Sequence, residues 1–403
     1  MSFGKASVRD APVEGRRVLV RVDFNVPLSD GEVEDDARIR ASLPTIALLR
    51  ERRAALVLVS HLGRPTGWDP ALSMAPVAAR LGERLDASVP VAPAVVGPEV
   101  EGLAQRLRPG EALMLENCRF EPGETKNDPE LARRLAALAD LYVDDAFGAA
   151  HRAHASTEGV AHLLPAYAGL LLEREVIELT AVRDDPARPL CAVLGGAKVK
   201  DKIGVMERFV ETADQLLVGG AMCFTFFAAR GVAAGDSLVD EAGIDAAGKI
   251  LERAERSRCE LRLPVDLVLG RSLSSDTERR ELDGVEVPDG WMGLDIGSRT
   301  ANAFAEAVRG AGTVFWNGPM GAFELEPFAN GTRVLAEAVS SASGTTVVGG
   351  GDSAAALEAF GLAERVDWLS TGGGASLELM EGRRLPGVEA LIDAGQRPET
   401  AGT

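Results

Sequence analysis

Short apolar runs alternate with helical stretches along this chain. Runs at residues 18–22, 56–59, 112–115 and 141–143 are rich in Val and Leu, which is typical of strands buried in a parallel sheet. One helical stretch, residues 128–140, opens with Asp128 as a suitable cap and Pro129 at the first helical position, and leucines recur on one face. The alternation of the two patterns predicts an α/β fold built on parallel sheets.

Polar residues follow each of these runs, where the strand is expected to end. They are Asp23 and Asn25, His61 and Arg64, Arg119, and His151 with Arg152. Because the carboxyl ends of parallel strands meet at one edge of a sheet, we expect them to line a cleft, with Arg38 nearby. Arginine suits a bidentate grip on phosphate or carboxylate. A solvated surface charge is the alternative for any single arginine, but three at equivalent strand ends favour a small-anion site.

In the second half of the chain, the apolar runs lead into glycine-rich loops. The runs lie at residues 190–194, 215–218, 265–269, 313–316 and 345–348. The last leads into GGGDSA at 349–354 and then into a predicted helix, which Asp352 or Ser353 is expected to cap. A helix N-terminus attracts phosphate, and a carboxylate beside phosphate indicates an intervening Mg²⁺. The alternative is a tight turn in which Asp352 is only a cap.

Two glycine patterns come close to standard nucleotide-binding motifs but do not match them. Residues 243–250 have the spacing G-x-x-x-x-G-K, but Ile250 stands where Ser or Thr would hold Mg²⁺, and the segment looks helical with no strand before it. The loop at 349–354 has Ala354 where a dinucleotide fingerprint requires glycine. A nicotinamide-dependent dehydrogenase is therefore a weak alternative.

A helix is predicted over residues 170–183, with Leu172, Val176 and Leu179 as its apolar stripe. We predict two doubly wound parallel-sheet (Rossmann-like) domains joined by this helix, with a cleft between them; an ordinary surface helix is the alternative. The predicted boundaries are 1–168 for the first domain, 169–184 for the helix and 185–384 for the second domain. Residues 385–403 are expected to pack back on the first domain.

Composition narrows the range of partners. The chain has 403 residues, enough for two domains, and a net charge of −18, which argues against nucleic acid or an anionic membrane as a partner. No apolar run reaches the length of a membrane span. The four cysteines form no C-x-x-C pair, so neither a zinc site nor a disulfide framework is indicated, and a cytoplasmic location is expected.

Several motifs together resemble phosphoglycerate kinase, and the resemblance runs nearly end to end. They are RVDFNVP at 21–27, SHLGRP at 60–65, LENCRF at 115–120, DDAFGAAHRAHAS at 144–156, LGGAKVKDKI at 194–203, WNGPMGAFE at 316–324, GGGDSA at 349–354 and STGGGASLE at 370–378. Ala149, Ala221 and Cys118 depart from the expected Thr, Gly and larger aliphatic residue, which affects local packing. The resemblance implies a monomer that binds 3-phosphoglycerate or 1,3-bisphosphoglycerate on its first domain and Mg²⁺ with ADP or ATP on its second.

The resemblance also implies roles for particular residues. The glycerate side comprises Asp23, Asn25, Arg38, His61, Arg64, Arg119, His151 and Arg152. The nucleotide side comprises Gly196, Lys202, Gly220, Gly293, Asn317, Glu324, Gly350, Gly351, Asp352 and Ser353, with Asp352 as the metal ligand. Arg38, Lys198, Gly372 and Gly373 surround the moving phosphoryl group. A protein that binds a phosphometabolite without turnover is the rival from another class, against which Lys198 and Asp352 count.

Overall fold

The computed structural model describes residues 3–396, which form two compact units. One unit runs up to Ile177 and resumes at Arg384, and the other is Glu178–Arg383. The elements of the first unit before the connecting helix are β1 (Arg17–Arg21), β2 (Leu28–Ser29), β3 (Glu32–Val33), α1 (Ala37–Glu51), β4 (Ala55–Val59), α2 (Ala75–Leu85), α3 (Pro98–Arg106), β5 (Ala112–Met114), α4 (Pro129–Ala136), β6 (Leu141–Asp144) and β7 (Ala166–Ala168).

The strands of the first unit form a parallel sheet in the order β5-β4-β1-β6-β7, and β2 and β3 form a small antiparallel hairpin. Val20 of β1 lies opposite Leu58 of β4 and Val143 of β6, and all three are fully buried. Asp128 caps α4 by accepting hydrogen bonds from the amides of Glu130 and Leu131, as predicted. The helix ends at Ala136, earlier than the leucine stripe suggested.

The connecting helix is α5 (Leu170–Asp184), and the division between the units falls inside it, after Ile177. The predicted stripe is only partly confirmed, because Leu172 and Leu179 are buried whereas Val176 is half-buried. Within residues 3–396, no helix has the length and apolar character needed to cross a membrane.

The second unit contains a larger sheet and a separate antiparallel one. Its elements are β8 (Leu190–Leu194), α6 (Ile203–Thr212), β9 (Gln215–Val218), α7 (Met222–Ala229), α8 (Ile244–Arg256), β10 (Glu260–Arg262), β11 (Leu267–Gly270), β12 (Arg279–Leu282), β13 (Met292–Ile296), α9 (Ser298–Arg309), β14 (Thr313–Asn317), α10 (Asn330–Ser340), β15 (Thr345–Gly349), α11 (Gly351–Ala359), β16 (Trp368–Leu369) and α12 (Gly374–Met380). The larger sheet is parallel, in the order β10-β9-β8-β14-β15-β16.

The run at residues 265–269 was expected to belong to the parallel series, and that expectation is wrong. It forms β11, which starts at Leu267 and pairs antiparallel with both β12 and β13. Apolar periodicity reports burial but not strand direction, so the sequence pattern alone does not separate the two cases. The rejected G-x-x-x-x-G-K segment does lie in a helix, since α8 begins at Ile244.

The described part of the C-terminal segment returns to the first unit. A short helix, α13 (Pro386–Glu389), follows Arg384, and the Gly387 amide donates to the Ala150 carbonyl at 2.9 Å. Further on, the Ile392 amide donates to the carbonyl of Ala166 in β7 at 3.1 Å. Residues 397–403 of the segment expected to pack here lie outside the described residues.

Candidate functional site

At the carboxyl edge of the first sheet, two asparagines hold the loop that follows β4. The Gly63 amide donates to Oδ1 of Asn25 at 2.8 Å. Oδ1 of Asn117 accepts from the Leu62 amide at 3.2 Å, and Nδ2 of Asn117 donates to the Leu62 carbonyl at 2.7 Å. These bonds satisfy buried backbone groups and fix the loop that carries His61.

Asp23 and Arg38 form an ion pair at this edge, with 2.9 Å between Nη1 of Arg38 and Oδ2 of Asp23. Burial alone would raise the pKa of Asp23, but the positive charges of Arg38 and Arg21 hold that pKa below its ordinary value. Asp23 is therefore ionised and orients Arg38, which lies in the first turn of α1.

His61 is buried beside these charges. Burial, together with the nearby positive charges of Arg21, Arg119 and Arg38, lowers its pKa to about 3, although Asp23 acts in the opposite direction. The imidazole is therefore neutral at physiological pH. It can donate or accept a hydrogen bond, but it does not add positive charge to the site.

Three of the predicted arginines line one cavity of about 340 Å³ in the first unit. They are Arg64, Arg119 and Arg152, which meet there with Phe120. Nε of Arg152 donates to Nε2 of His151 at 3.1 Å, so the predicted histidine contacts one of the three arginines that line the cavity. Guanidinium groups converging on a cavity of this size can grip a phosphate from several sides.

In the second unit, the glycine loop after β15 has the predicted strand-turn-helix form, but the expected side-chain cap is absent. Gly350 occupies the N-cap position of α11, with φ of 91°, and no side-chain cap hydrogen bond is made there. Asp352 and Ser353 instead lie within the first turn of the helix. Oγ of Ser353 accepts from the Gly318 amide at 2.6 Å, and so holds the neighbouring loop. The prediction failed because the helix begins two to three residues earlier than its propensity suggested.

Lys202 lies close to the same loops. Its Nζ donates to the carbonyls of Gly195 at 2.6 Å and Asn317 at 3.0 Å. Burial lowers the pKa of Lys202 to about 8, while the carboxylates of Asp352 and Asp201 act in the opposite direction. The ammonium therefore stays charged at neutral pH, next to a helix N-terminus and an acidic side chain.

A cavity of about 770 Å³ opens beside these loops. Five of the residues expected on the nucleotide side line it: Gly196, Gly220, Gly293, Glu324 and Asp352. The rest of the lining is largely apolar and includes Phe224, Leu273 and Met320, for which the sequence pattern indicated no role. Gly293 is required here, because a Cβ at that position would lie 2.1 Å from the Phe224 ring.

The remaining predicted residues lie outside this cavity lining. Lys202, Asn317, Gly350, Gly351 and Ser353 surround the loops at its edge through the contacts above. The side chain of Lys198 is exposed, and Gly372 and Gly373 immediately precede α12. The predicted group around the moving phosphoryl is divided between the units, because Arg38 belongs to the first and the others to the second.

Comparison with known proteins identifies the family. The family model described as phosphoglycerate kinase matches residues 8–383. The chain belongs to the phosphoglycerate kinase family. It is 52% identical to a phosphoglycerate kinase of Roseiflexus castenholzii over 395 residues, covering 97% of this chain and all of the relative. It is 54% identical to that of Rubrobacter xylanophilus over 388 residues, covering 96% of this chain and 98% of the relative.

A solved phosphoglycerate kinase from Coxiella burnetii has the same architecture, with a TM-score of 0.85 and 40% identity over 96% of this chain and 98% of its own. The predicted two-sheet α/β fold is thereby confirmed. Phosphoglycerate kinases are phosphotransferases of glycolysis that use ADP and ATP, so the chain is an enzyme of this class. Both rivals, a binding protein without turnover and a dehydrogenase, are set aside.

Three buried polar residues of the first unit were not indicated by the sequence pattern, namely Arg21, Glu124 and Ser156. Each is at most 1% exposed although polar. Arg21 could have indicated this cluster from the sequence, because a charged side chain in a buried strand needs polar or charged partners.

Proposed function

We propose that each unit of this phosphoglycerate kinase binds one substrate, with 3-phosphoglycerate or 1,3-bisphosphoglycerate on the first and ADP or ATP with Mg²⁺ on the second. The observation that supports this most directly is the cavity lined by Arg64, Arg119 and Arg152. It has the size and charge for a phosphate on a small acid, whereas the larger, apolar cavity of the second unit suits a nucleotide base.

On the first unit, the three arginines of the cavity bind the phosphate of the glycerate ligand. Asp23, Asn25 and His61 form the polar surface for its hydroxyl and carboxyl groups, and His151 supports Arg152. Arg38, held by Asp23, faces the end of the ligand that reacts. Because His61 is neutral, the guanidinium groups alone neutralise the negative charge of the ligand.

On the second unit, glycines at 196, 220 and 293 let the backbone approach the base, and Glu324 binds the ribose. Lys202, Asn317 and the N-terminal turn of α11 with Gly350, Gly351 and Ser353 hold the phosphates. Amides at a helix N-terminus favour anions, and α11 begins without a side-chain cap that would compete for them.

Mg²⁺ fits the residues present. Asp352 lies in the first turn of α11 and lines the larger cavity, so its carboxylate can hold the ion together with nucleotide phosphates. When bound, the ion neutralises phosphate charge next to the uncapped helix N-terminus.

The transfer itself needs positioning rather than a general base. The carboxylate of 3-phosphoglycerate is already ionised, so its oxygen attacks the γ-phosphorus directly. A new C–O–P bond forms while the bond to the β-phosphate oxygen breaks and ADP leaves. Arg38 and Lys198 with the amides of Gly372 and Gly373 stabilise the charge on the equatorial oxygens. The two units close over the substrates for this step.

We further propose that the enzyme acts as a cytoplasmic monomer without nucleic-acid partners, in keeping with its acidic net charge of −18.

The site assignment is tested by activity assays together with isothermal titration of each ligand. Asp352→Ala is expected to lose most activity with Mg²⁺ and ADP and to keep near-normal affinity for 3-phosphoglycerate, because that ligand binds the other unit. Asp367→Ala, a carboxylate that accepts from Thr346 away from the loop, is the control. If Asp352→Ala abolished glycerate binding, the assignment of Asp352 to the nucleotide side would be wrong.

A further inference from the structure

We propose that Arg21 is a positioning residue that fixes the tautomer of His61, so that the imidazole presents Nε2–H to the glycerate ligand. The inference rests on the proposed assignment of His61 to glycerate binding. Nothing in the motif pattern assigned a role to Arg21, although it is a charged residue inside an apolar strand run.

Arg21 ends β1 and is one of the largest fully buried side chains among residues 3–396, with 1% exposure. Its guanidinium has a partner at each nitrogen. Nε donates to Oγ of Ser156 at 2.9 Å, Nη1 donates to the Val22 carbonyl, and Nη2 contacts Nδ1 of His61 at 3.0 Å. A guanidinium fixed at all three nitrogens has little freedom to turn away from the imidazole.

The chemistry of the Arg21–His61 contact determines where the proton of His61 sits. A guanidinium has only donors, so a hydrogen bond at 3.0 Å requires a lone pair on Nδ1. The competing arrangement would place a proton on Nδ1 and direct it to Asp23. Oδ1 of Asp23 lies 3.9 Å from Nδ1, which is too far for a hydrogen bond. The neutral imidazole therefore carries its proton on Nε2.

Arg21 is in turn anchored from the opposite side. Oγ of Ser156 donates to Oε1 of Glu124 at 2.6 Å, and the Ser156 amide donates to Oε2 at 3.0 Å. Glu124 is 1% exposed, so it supplies a buried negative charge that balances the guanidinium through Ser156. The chain of contacts from Glu124 through Ser156 and Arg21 reaches His61 without a gap, and such networks hold a side chain in one orientation.

The tautomer is read directly from the wild-type enzyme by ¹⁵N NMR after selective histidine labelling. The chain has four histidines, and the His61→Gln variant assigns the signal. We expect the shift pattern of an unprotonated Nδ1 and a protonated Nε2, unchanged between pH 5.5 and 8. A protonated Nδ1, or a mixture of both tautomers, would overturn the inference without any variant of Arg21 having to fold.

A kinetic experiment compares Arg21→Lys with the control Arg17→Lys. Arg17 lies in the same strand, and its guanidinium pairs with Asp140. We expect Arg21→Lys to give mixed His61 tautomers and to raise the KM for 3-phosphoglycerate about tenfold, the effect of losing one hydrogen bond, with the KM for ATP unchanged. Ser156→Ala keeps both charges and is expected to shift the same signals if Arg21→Lys does not fold. Unaltered tautomers in the folded variant would contradict the proposal.

His61→Gln separates this inference from the site assignment on which it rests. If His61→Gln leaves the affinity for 3-phosphoglycerate unchanged, His61 does not bind the glycerate ligand and the assignment fails. If His61→Gln weakens binding but wild-type Nδ1 is protonated, the assignment stands and the role of Arg21 fails.

Discussion

The hydroxyl of Thr45 donates a hydrogen bond to Oδ1 of Asp145 at 2.8 Å and accepts one from the Leu170 amide at 2.9 Å. The Leu171 amide donates to the same Oδ1 at 2.9 Å. The first amides of α5 are thus satisfied by a residue of α1 and by a carboxylate just after β6. Gly169 permits the approach, because a Cβ there would lie 2.1 Å from Oδ1 of Asp145.

Removing the Thr45 hydroxyl is expected to destabilise the protein. Thr45→Val leaves the Leu170 amide without its acceptor and removes one of the two hydrogen bonds described for Oδ1 of Asp145, in a region where Thr45 is fully buried. We expect a loss of about 1–3 kcal/mol in the free energy of unfolding, measured by urea titration. Thr45→Ser keeps the hydroxyl and is the control; equal losses in both variants would mean that methyl packing, not the hydrogen bonds, is responsible.

The charge of Asp145 should make stability depend on pH. Burial raises its pKa to about 7, although hydrogen bonds from Thr45 and Leu171 oppose the shift. The native state therefore retains a proton that the unfolded state has released, and stability falls as pH rises from about 4 towards 7. Asp145→Asn keeps an Oδ1 acceptor but carries no charge.

We compare the free energy of unfolding of Asp145→Asn with that of wild type at each pH. The variant-minus-wild-type difference should be about 1–4 kcal/mol more positive at pH 8 than at pH 5. Chemical denaturation at both pH values measures the difference, and Asp10→Asn, at an exposed position, is the control. A constant difference between variant and wild type at the two pH values would refute the buried-charge argument.

The backbone framework was largely predictable because burial and strand length leave a strong local signal. The runs at 190–194 and 215–218 were predicted with the bounds that β8 and β9 have. Strand direction has no such signal, which is why β11 was misplaced in the parallel series. The start of α11 was also missed, since Gly350 rather than Asp352 or Ser353 occupies the N-cap position.

The candidate site was predictable only where a residue type and a strand end coincided. Arg64, Arg119 and Arg152 were found in this way, and they do line one cavity. Glu124 and Ser156 come from turns distant in sequence from Arg21, so their meeting is a product of tertiary packing. No periodicity in a single sequence reports such a contact.

Nucleotide affinity should weaken as Lys202 loses its proton. Its pKa is lowered to about 8, so the ammonium is charged below that pH and neutral above it. A neutral amine attracts phosphate less, and the KM for ADP is therefore expected to rise between pH 7.5 and 9, while the KM for 1,3-bisphosphoglycerate stays constant. Lys202→Arg, whose charge persists throughout, should flatten the profile. An unchanged profile in this variant would assign the pH dependence to another group.

Arg152 and Lys198 should affect different kinetic constants. In the proposed assignment Arg152 contacts the glycerate ligand equally in the ground and transition states, so Arg152→Ala should mainly raise the KM for the glycerate substrate. In the same assignment Lys198 meets charge that grows during transfer, so Lys198→Ala should lower kcat by about 100-fold or more, equivalent to about 3 kcal/mol. Steady-state kinetics measures both. Arg133→Ala is the control, because Arg133 forms an exposed ion pair with Glu130. A normal kcat for Lys198→Ala would mean that Lys198 takes no part in the transfer step.

The last prediction concerns closure of the two units. Arg38 belongs to the first unit, whereas Lys198 and Asp352 belong to the second. In-line transfer needs the reacting atoms about 3–3.5 Å apart with water excluded, so both sets must meet on one phosphoryl group during catalysis. Permanent contact would leave substrates of this size no route in or out. We therefore expect the enzyme to be open when empty.

Each ligand shifts the equilibrium only by its differential affinity for the closed form, and either one alone bridges few groups between the units. Closure should consequently require both. Small-angle scattering should show a smaller radius of gyration with 3-phosphoglycerate and Mg²⁺-ATP together and little change with either alone. If Arg38 contacts the transferred phosphoryl group as proposed, Arg38→Ala should bind both ligands yet compact less than wild type. Full compaction with a single ligand would show that the charges of one unit suffice for closure. The placement of Arg38 in one unit and of Lys198 and Asp352 in the other would then not be the reason that closure occurs.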